Sequence, residues 1–338
     1  MSPVHVHDRW IATGYCPCQL AHPYFRRYAR RSFLRMKSPL PLLCLAIAIA
    51  CQSRATAQSD SAQKAAFDQA VRVLEETAAL LDPVGALVSS LEVMKTAQRD
   101  SQRDSLNTDI KKRLRAVLEA DDAMSRDLTD VPMSRVDAPD GKFRLLTWNV
   151  PYSNGTHRFE GFLLVQDRKR RVLYELRDMT EKIENASFKM LGPDYWYGAL
   201  YYTVVPVKKG GKSWYTLLGW KGQSNVETRK VIEVLSFKGG TPQFGAPLFG
   251  DGRVKRTREV FGYSFQSSMS LRWEQAFDRI VLDHLSPMKP EFAGQAAFMG
   301  PDLSYDAYVW EKDHWLYQRD VDVRQEDQSK PWNKPPKE

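Results

Sequence analysis

From Phe143 onward, apolar side chains recur at every second position, and short turn sequences interrupt them at the spacing of β-hairpins. Ala138-Pro139-Asp140-Gly141 is a turn, and Asn154-Gly155 favours a tight hairpin. Lys209-Gly210-Gly211-Lys212 separates two further alternating runs. Because no helical pattern comes between these runs, neighbouring strands are expected to be antiparallel. We predict a mainly β fold, an antiparallel meander that forms a curled sheet, a barrel or a sandwich.

A helical segment is predicted ahead of the strands. Apolar residues recur at three- and four-residue spacing in 60–82 and again in 104–121, which is typical of amphipathic helices. Residues 84–97, between them, are predicted to be helical as well. Suitable N-capping residues precede the first and last of these helices: Asp60, and Asp104 or Ser105.

These patterns divide the chain after its leader into three parts. We place the helical segment at 58–130 and the antiparallel β domain at 131–324. The polar, proline-rich residues 325–338 are predicted to form a disordered tail.

Residues 1–57 have the parts of a secretory signal peptide. A basic stretch leads into an apolar run, Pro41–Ala50, which is too short to span a bilayer. Ala55-Thr56-Ala57 then presents small residues at the positions that signal peptidase recognises, so we predict cleavage between Ala57 and Gln58. The expected destination is the periplasm or the exterior of the cell.

Two features of this leader admit alternatives. Cys51 is a possible lipidation site, although its −3 residue is smaller than such sites prefer. The run 30–35 resembles a twin-arginine export motif, whereas a start at Met36 gives a compact Sec-type signal over 36–57. We favour the start at Met36, which makes residues 1–35 an extension upstream of the true start, and we favour a chain without a lipid anchor.

The basic excess of the chain belongs to the leader. Of its 49 Lys and Arg and 41 Asp and Glu residues, positions 1–57 hold eight and one, which leaves 41 and 40 for the rest. The near balance after the leader gives no reason to expect a nucleic-acid partner. No integral membrane span is predicted in the mature chain.

Cysteine and nucleotide chemistry have no sequence support after the leader. All four cysteines precede Gln58, which excludes disulfides, thiolate metal sites and a cysteine nucleophile from the mature chain. There is no Gly-x-Ser-x-Gly elbow, and the glycine pairs lie at hairpin turns rather than before helices. We therefore predict neither a cofactor nor a bound metal.

Four polar residues are weak catalytic candidates. Asp283 precedes His284, but adjacent residues on a strand point to opposite faces and would not pair directly. Asp302 and Asp306 belong to an acidic group around the C-terminal hairpin. Such carboxylates suit Ca²⁺ binding, or an acid and a base for glycoside cleavage, and are equally natural on a solvated hairpin.

Tryptophan and tyrosine are abundant in the predicted strands. Strand 195–205 carries apolar residues on both faces, which indicates either that both faces are covered or that one face is offered to a ligand. Most of these rings are expected in the core, and a sugar-stacking platform is the alternative. The candidate ligand-binding residues are Trp196, Tyr197, Trp214, Trp220, Trp310 and Trp315.

Three segments carry a family resemblance. The runs 199–222 (ALYYTVVPVKKGGKSWYTLLGWKG), 269–287 (MSLRWEQAFDRIVLDHLSP) and 300–308 (GPDLSYDAY) resemble a family of uncharacterised secreted proteins common in Bacteroidetes. The resemblance implies export and a single globular β domain. No activity is assigned to that family, so it transfers no functional residue.

The function expected from these features is a non-catalytic, exported binding or structural protein. Its aromatic-rich β domain would contact a glycan, a lipid or an envelope protein. The alternative is an extracytoplasmic hydrolase of glycan or another polymer, with a carboxylate pair drawn from Asp283, Asp302 and Asp306.

Overall fold

A computed structural model describes residues 60–78, 82–168, 170–250, 252 and 255–323. Helices come first and strands follow, which confirms a mainly β, antiparallel fold preceded by a helical segment. The predicted leader, its cleavage site at Ala57 and Gln58, Cys51 and the predicted tail 325–338 lie outside the described residues.

Three helices precede the sheets in the described part of the chain. They are α1 (Asp60–Ala78), α2 (Pro83–Thr96) and α3 (Asp100–Glu119). Asp82 caps α2, since its carboxylate accepts hydrogen bonds from the amides of Val84 (2.8 Å) and Gly85 (2.9 Å). The predicted caps Asp104 and Ser105 are wrong, because α3 begins at Asp100 and contains both residues.

Every strand pair is antiparallel, and the strands form three sheets. The first sheet runs in chain order through β1 (Ser134–Asp137), β2 (Phe143–Pro151), β3 (His157–Asp167) and β4 (Arg170–Arg177). The second contains β5 (Leu200–Lys209), β6 (Lys212–Gly222), β7 (Glu227–Lys238) and β8 (Thr241–Phe244), with β9 (Arg258–Ser264) also paired to β7. The third contains β10 (Leu271–Glu274), β11 (Arg279–Pro287), β12 (Met299–Glu311) and β13 (His314–Gln318).

The helices and sheets stack as layers, each joined to the next by an apolar core. Leu87 and Ile110 of the helices pack with Phe162 of the first sheet. The first and second sheets share a core that includes Phe143 and Leu217. The second and third sheets share another. The inner strands are therefore covered on both faces, which explains why most of their residues are buried, polar ones included.

Within the described residues, none of the helices has the length and apolar character that crossing a membrane requires.

Candidate functional site

A bulge in the third sheet gathers polar side chains that the rest of the sheet keeps apart. Asp283 pairs with Tyr305 and Leu285 with Pro301, so the single residue His284 lies opposite three residues of β12, 302–304. Leu303, in the middle of the three, has φ of 74° and is 93% exposed. Bulges of this kind redirect side chains and are over-represented beside functional sites.

His284 pairs with Asp306 across this bulge. The imidazole Nδ1 lies 2.7 Å from the Asp306 Oδ2, and the aspartate is buried. Tyr317 Oη donates to the same oxygen at 2.5 Å, and the Asp320 amide donates to Oδ1 at 3.2 Å. Burial, followed by the hydrogen bond to Asp306, raises the pKa of Tyr317, so the phenol keeps its proton and remains a donor. Three groups therefore hold the carboxylate in place.

The contacts of His284 define its tautomer. A guanidinium N–H of Arg319 lies 3.3 Å from Nε2, and a guanidinium can only donate, so Nε2 accepts. Nδ1 then carries the proton and donates it to Asp306. An imidazole oriented by a buried carboxylate, with its other nitrogen unprotonated, is the arrangement that a general base requires.

Asp302 lies in the same bulge but has different partners. Its carboxylate accepts from the Ser286 hydroxyl at 2.6 Å and from the Ser304 hydroxyl at 2.7 Å. These hydrogen bonds, Ser286 first, lower the pKa of Asp302 to about 2. The side chain is exposed and stays ionised at any physiological pH.

Of the four predicted catalytic candidates, the structure pairs only His284 with Asp306. Asp283 turns away from His284, as expected for neighbours on a strand, and accepts from the Ser270 amide at 2.7 Å. Tyr317 and Arg319 were not among the predicted site residues, because their contacts depend on the pairing of β12 with β13.

An open cleft adjoins this cluster. Its volume is about 390 Å³, within the range of small-ligand sites. Arg272 places its guanidinium 5.8 Å from the centre of the Tyr305 ring. The lining combines one aromatic ring, aliphatic side chains and two carboxylates: Leu303, Ser304, Tyr305, Asp320, Val321, Asp322 and Val323.

The six predicted ligand-binding aromatic residues do not form one surface. Trp196 and Tyr197 are buried in the core between the first and second sheets, and Trp315 in the core between the second and third. The indole N–H of Trp315 donates to Thr216 Oγ1 at 2.9 Å, which satisfies its polar atom inside the core. The remaining three are half-buried: Trp214, Trp220 and Trp310. Tyr305, the aromatic residue of the cleft, was not among the six.

A second polar cluster, centred on Lys221, lies inside the core. The Lys221 ammonium donates to Gly198 O (2.7 Å), Thr180 Oγ1 (2.8 Å) and Tyr197 O (2.9 Å), which uses all three of its protons. It also lies 4.3 Å from the centre of the Phe159 ring. Burial lowers the pKa of Lys221 to about 8. Such a fully paired group supports the fold rather than a ligand.

A buried ion pair crosses the second sheet beside this cluster. Glu233 and Arg258 are fully buried, and their closest atoms are 2.5 Å apart. The Tyr201 hydroxyl donates to the same carboxylate, and Arg258 also donates to Lys189 O at 3.0 Å. Because Lys189 lies in the segment between the first and second sheets, the pair attaches that segment to the second sheet.

In the described ranges, no three side chains of His, Cys, Asp or Glu come together as a metal site would require. Comparison with protein-family models, curated proteins and solved structures finds no match to this chain.

Proposed function

We propose that this is an exported binding protein whose β domain holds a glycan segment in the cleft at Tyr305. The observation that carries the proposal is the composition of the cleft: one aromatic ring, aliphatic side chains and the carboxylates of Asp320 and Asp322. The C–H face of a sugar packs against an aromatic ring, and its hydroxyl groups donate to carboxylate oxygens. Because the cleft is open, a polysaccharide can also extend beyond the segment that is bound.

Export is the second part of the proposal, and it rests on the sequence. The basic stretch, the apolar run Pro41–Ala50 and the small residues before Gln58 follow the order of a cleavable signal. The resemblance to secreted proteins of Bacteroidetes agrees with it. Mass spectrometry of the mature protein tests it: an N-terminus at Gln58 supports export with cleavage there, a lipidated Cys51 supports export with a lipid anchor instead, and an intact leader contradicts export.

Glycoside cleavage by paired carboxylates fits the geometry less well than binding. That reaction needs one carboxylic acid whose pKa is raised, so that it can protonate the leaving oxygen. Asp302 has a pKa lowered to about 2, and Asp306 is held by His284, Tyr317 and the Asp320 amide. Neither carboxyl is placed to deliver a proton.

Binding of immobilised polysaccharides to the full mature chain tests the proposal. Tyr305→Ala should weaken retention several-fold, because it removes the aromatic surface on which the C–H face of the sugar packs. Tyr195→Ala is the matched control, since Tyr195 is 39% exposed and lies in a 3-10 turn, Pro193–Tyr195, between β4 and β5. Retention of no polysaccharide, or equal loss in both variants, would refute the assignment.

A further inference from the structure

One end of the three sheets is rich in lysine and arginine. Successive strands of an antiparallel sheet run in opposite directions, so alternate turns lie at the same end. Six turns lie at this end, and we call them the basic end: residues 138–142, 167–170, 208–212, 238–241, 275–278 and 311–314.

Contacts between the sheets join these turns into one face. Tyr215 follows the β5–β6 turn, and its Oη donates to Asp140 Oδ2 in the β1–β2 turn at 2.6 Å. Lys209 Nζ, in the β5–β6 turn, donates to the backbone oxygen of Asp313 in the β12–β13 turn at 3.1 Å. The turns of the first, second and third sheets are therefore neighbours.

The charge of the basic end differs from that of the rest of the mature chain. Its six turns contain nine basic and five acidic residues, whereas the chain from Gln58 onward has 41 and 40. Among the residues placed by the structure, Lys142 and Asp167, 3.3 Å apart, form the one ion pair within these turns. Six basic side chains of this face are exposed: Arg168, Arg170, Lys208, Lys212, Lys238 and Lys312.

The opposite end of the sheets is almost uncharged. Its connections are residues 152–156, 223–226, 265–270 and 288–298, and they contain one lysine and one glutamate. The positive charge is therefore a property of one end of the domain. Such a separation of charge orients a protein in the field of an anionic surface.

An exposed aromatic ring lies among the basic turns. Phe277, in the β10–β11 turn, is 49% exposed, and the Arg279 guanidinium lies 4.6 Å from the centre of its ring. Segments that lie on anionic bilayers combine Lys and Arg, which meet the headgroups, with Phe, Trp or Leu, which enter the interface. A soluble polyanion offers no apolar environment for such a ring.

We propose that the basic end docks on an anionic lipid bilayer. Its cations lie on the tips of turns from three stacked sheets, which span about 20 Å, so their arrangement matches a plane of charge better than a single polymer chain. The proposed contact is separate from the glycan cleft, because Tyr305 lies six residues before Glu311, about 20 Å along β12. It does not depend on glycan binding.

Vesicle co-sedimentation tests the proposal with the chain from Gln58, because the leader carries basic residues of its own. The protein should bind vesicles of phosphatidylcholine and phosphatidylglycerol more tightly than vesicles of phosphatidylcholine alone. Binding should weaken as NaCl rises from about 0.05 to 0.5 M, because salt screens the attraction.

Two triple variants of equal charge locate the contact. Lys208→Gln/Lys212→Gln/Lys238→Gln should lower the affinity for the anionic vesicles about 100-fold, since each basic residue near such a surface contributes about five-fold. The control removes three exposed lysines that lie outside the basic end and should stay close to the parent: Lys112→Gln/Lys182→Gln/Lys289→Gln. Thermal melting confirms that each variant folds.

Phe277→Ala distinguishes a bilayer from a soluble polyanion. It should weaken vesicle binding several-fold and leave binding to dextran sulfate unchanged, because only the bilayer takes up the ring. Phe265→Ala is the matched control, since Phe265 is 44% exposed at the opposite end. Equal binding to the two kinds of vesicle, or equal loss in the two lysine variants, would overturn the proposal. Vesicle binding that is insensitive to Phe277→Ala would also overturn it, in favour of an anionic polymer.

Discussion

Acid should destabilise this protein through one half-buried imidazole, His157. Its Nδ1 accepts from the Asn149 amide nitrogen at 2.9 Å, and an amide nitrogen only donates, so the ring is neutral. The ring packs edge-on to Trp220, with 5.7 Å between ring centres. Burial, and then the charge of Lys221, lower the pKa of His157 from 6.5 to about 4.

The magnitude follows from proton linkage. Below pH 6.5 the unfolded chain binds a proton at His157, while the folded chain does not until about pH 4. Stability is therefore intact above pH 6.5 and falls as the pH drops toward 4. Between pH 7.5 and 4.5 the loss assigned to this group is about 2.5 kcal/mol. Urea unfolding at the two pH values measures it.

His157→Gln removes the titrating group. The difference between this variant and the parent is therefore the part of the acid destabilisation that is due to His157. Carboxylates also titrate in this range. The measured quantity is therefore the change in unfolding free energy between pH 7.5 and 4.5, compared between the variant and the parent. That change should be smaller by about 2.5 kcal/mol in the variant. Asn149→Asp should also reduce it, because a carboxylate beside Nδ1 stabilises the imidazolium. An unchanged acid loss in both variants would refute the reasoning.

Three further substitutions test the buried polar contacts, each by urea unfolding at pH 7.5. Lys221→Met removes the donor to Gly198 O, Tyr197 O and Thr180 Oγ1 and should cost about 2–4 kcal/mol. The same variant should reduce the acid destabilisation due to His157, and an acid destabilisation of parental size would contradict the assigned role of the Lys221 charge. Glu233→Gln leaves the guanidinium of Arg258 buried without its counter-charge and should cost about 3–5 kcal/mol. Trp148→Phe removes the 2.7 Å indole bond to Asn107 on α3 and should cost about 1 kcal/mol, with faster amide exchange in α3.

Periodicity and turn residues predicted most of the fold. β2 begins at Phe143, where the alternation begins, and the Asn154-Gly155 turn joins β2 to β3. β1 and β8 have four residues each, and no period is visible in so short a segment. The division into three sheets was also not predictable. It depends on which consecutive strands are not hydrogen-bonded to each other, and the alternation of apolar residues carries no information about that.

The candidate site was only partly visible in the sequence. Asp283 and His284 are adjacent in the sequence and were both catalytic candidates, but the partner of the histidine is Asp306, 22 positions away. A regular β11–β12 register would pair His284 with one residue of β12; the bulge opposes it to three instead. No residue pattern marks that bulge strongly, so the pairing of His284 with Asp306 emerges only from the three-dimensional register.

The layered architecture explains why the two polar clusters differ in their exposure to water. Strands between two cores offer no water, so each buried donor there needs a protein partner, and Lys221 has an acceptor for every proton. At the bulge, solvent reaches the residues, and Nε2 of His284 meets an exposed arginine rather than a fixed partner. A contact with an exposed side chain can be exchanged for a contact with a ligand, whereas the contacts of Lys221 cannot be exchanged without opening the core. The core cluster is therefore expected to affect only stability, whereas the bulge presents exposed side chains to solvent.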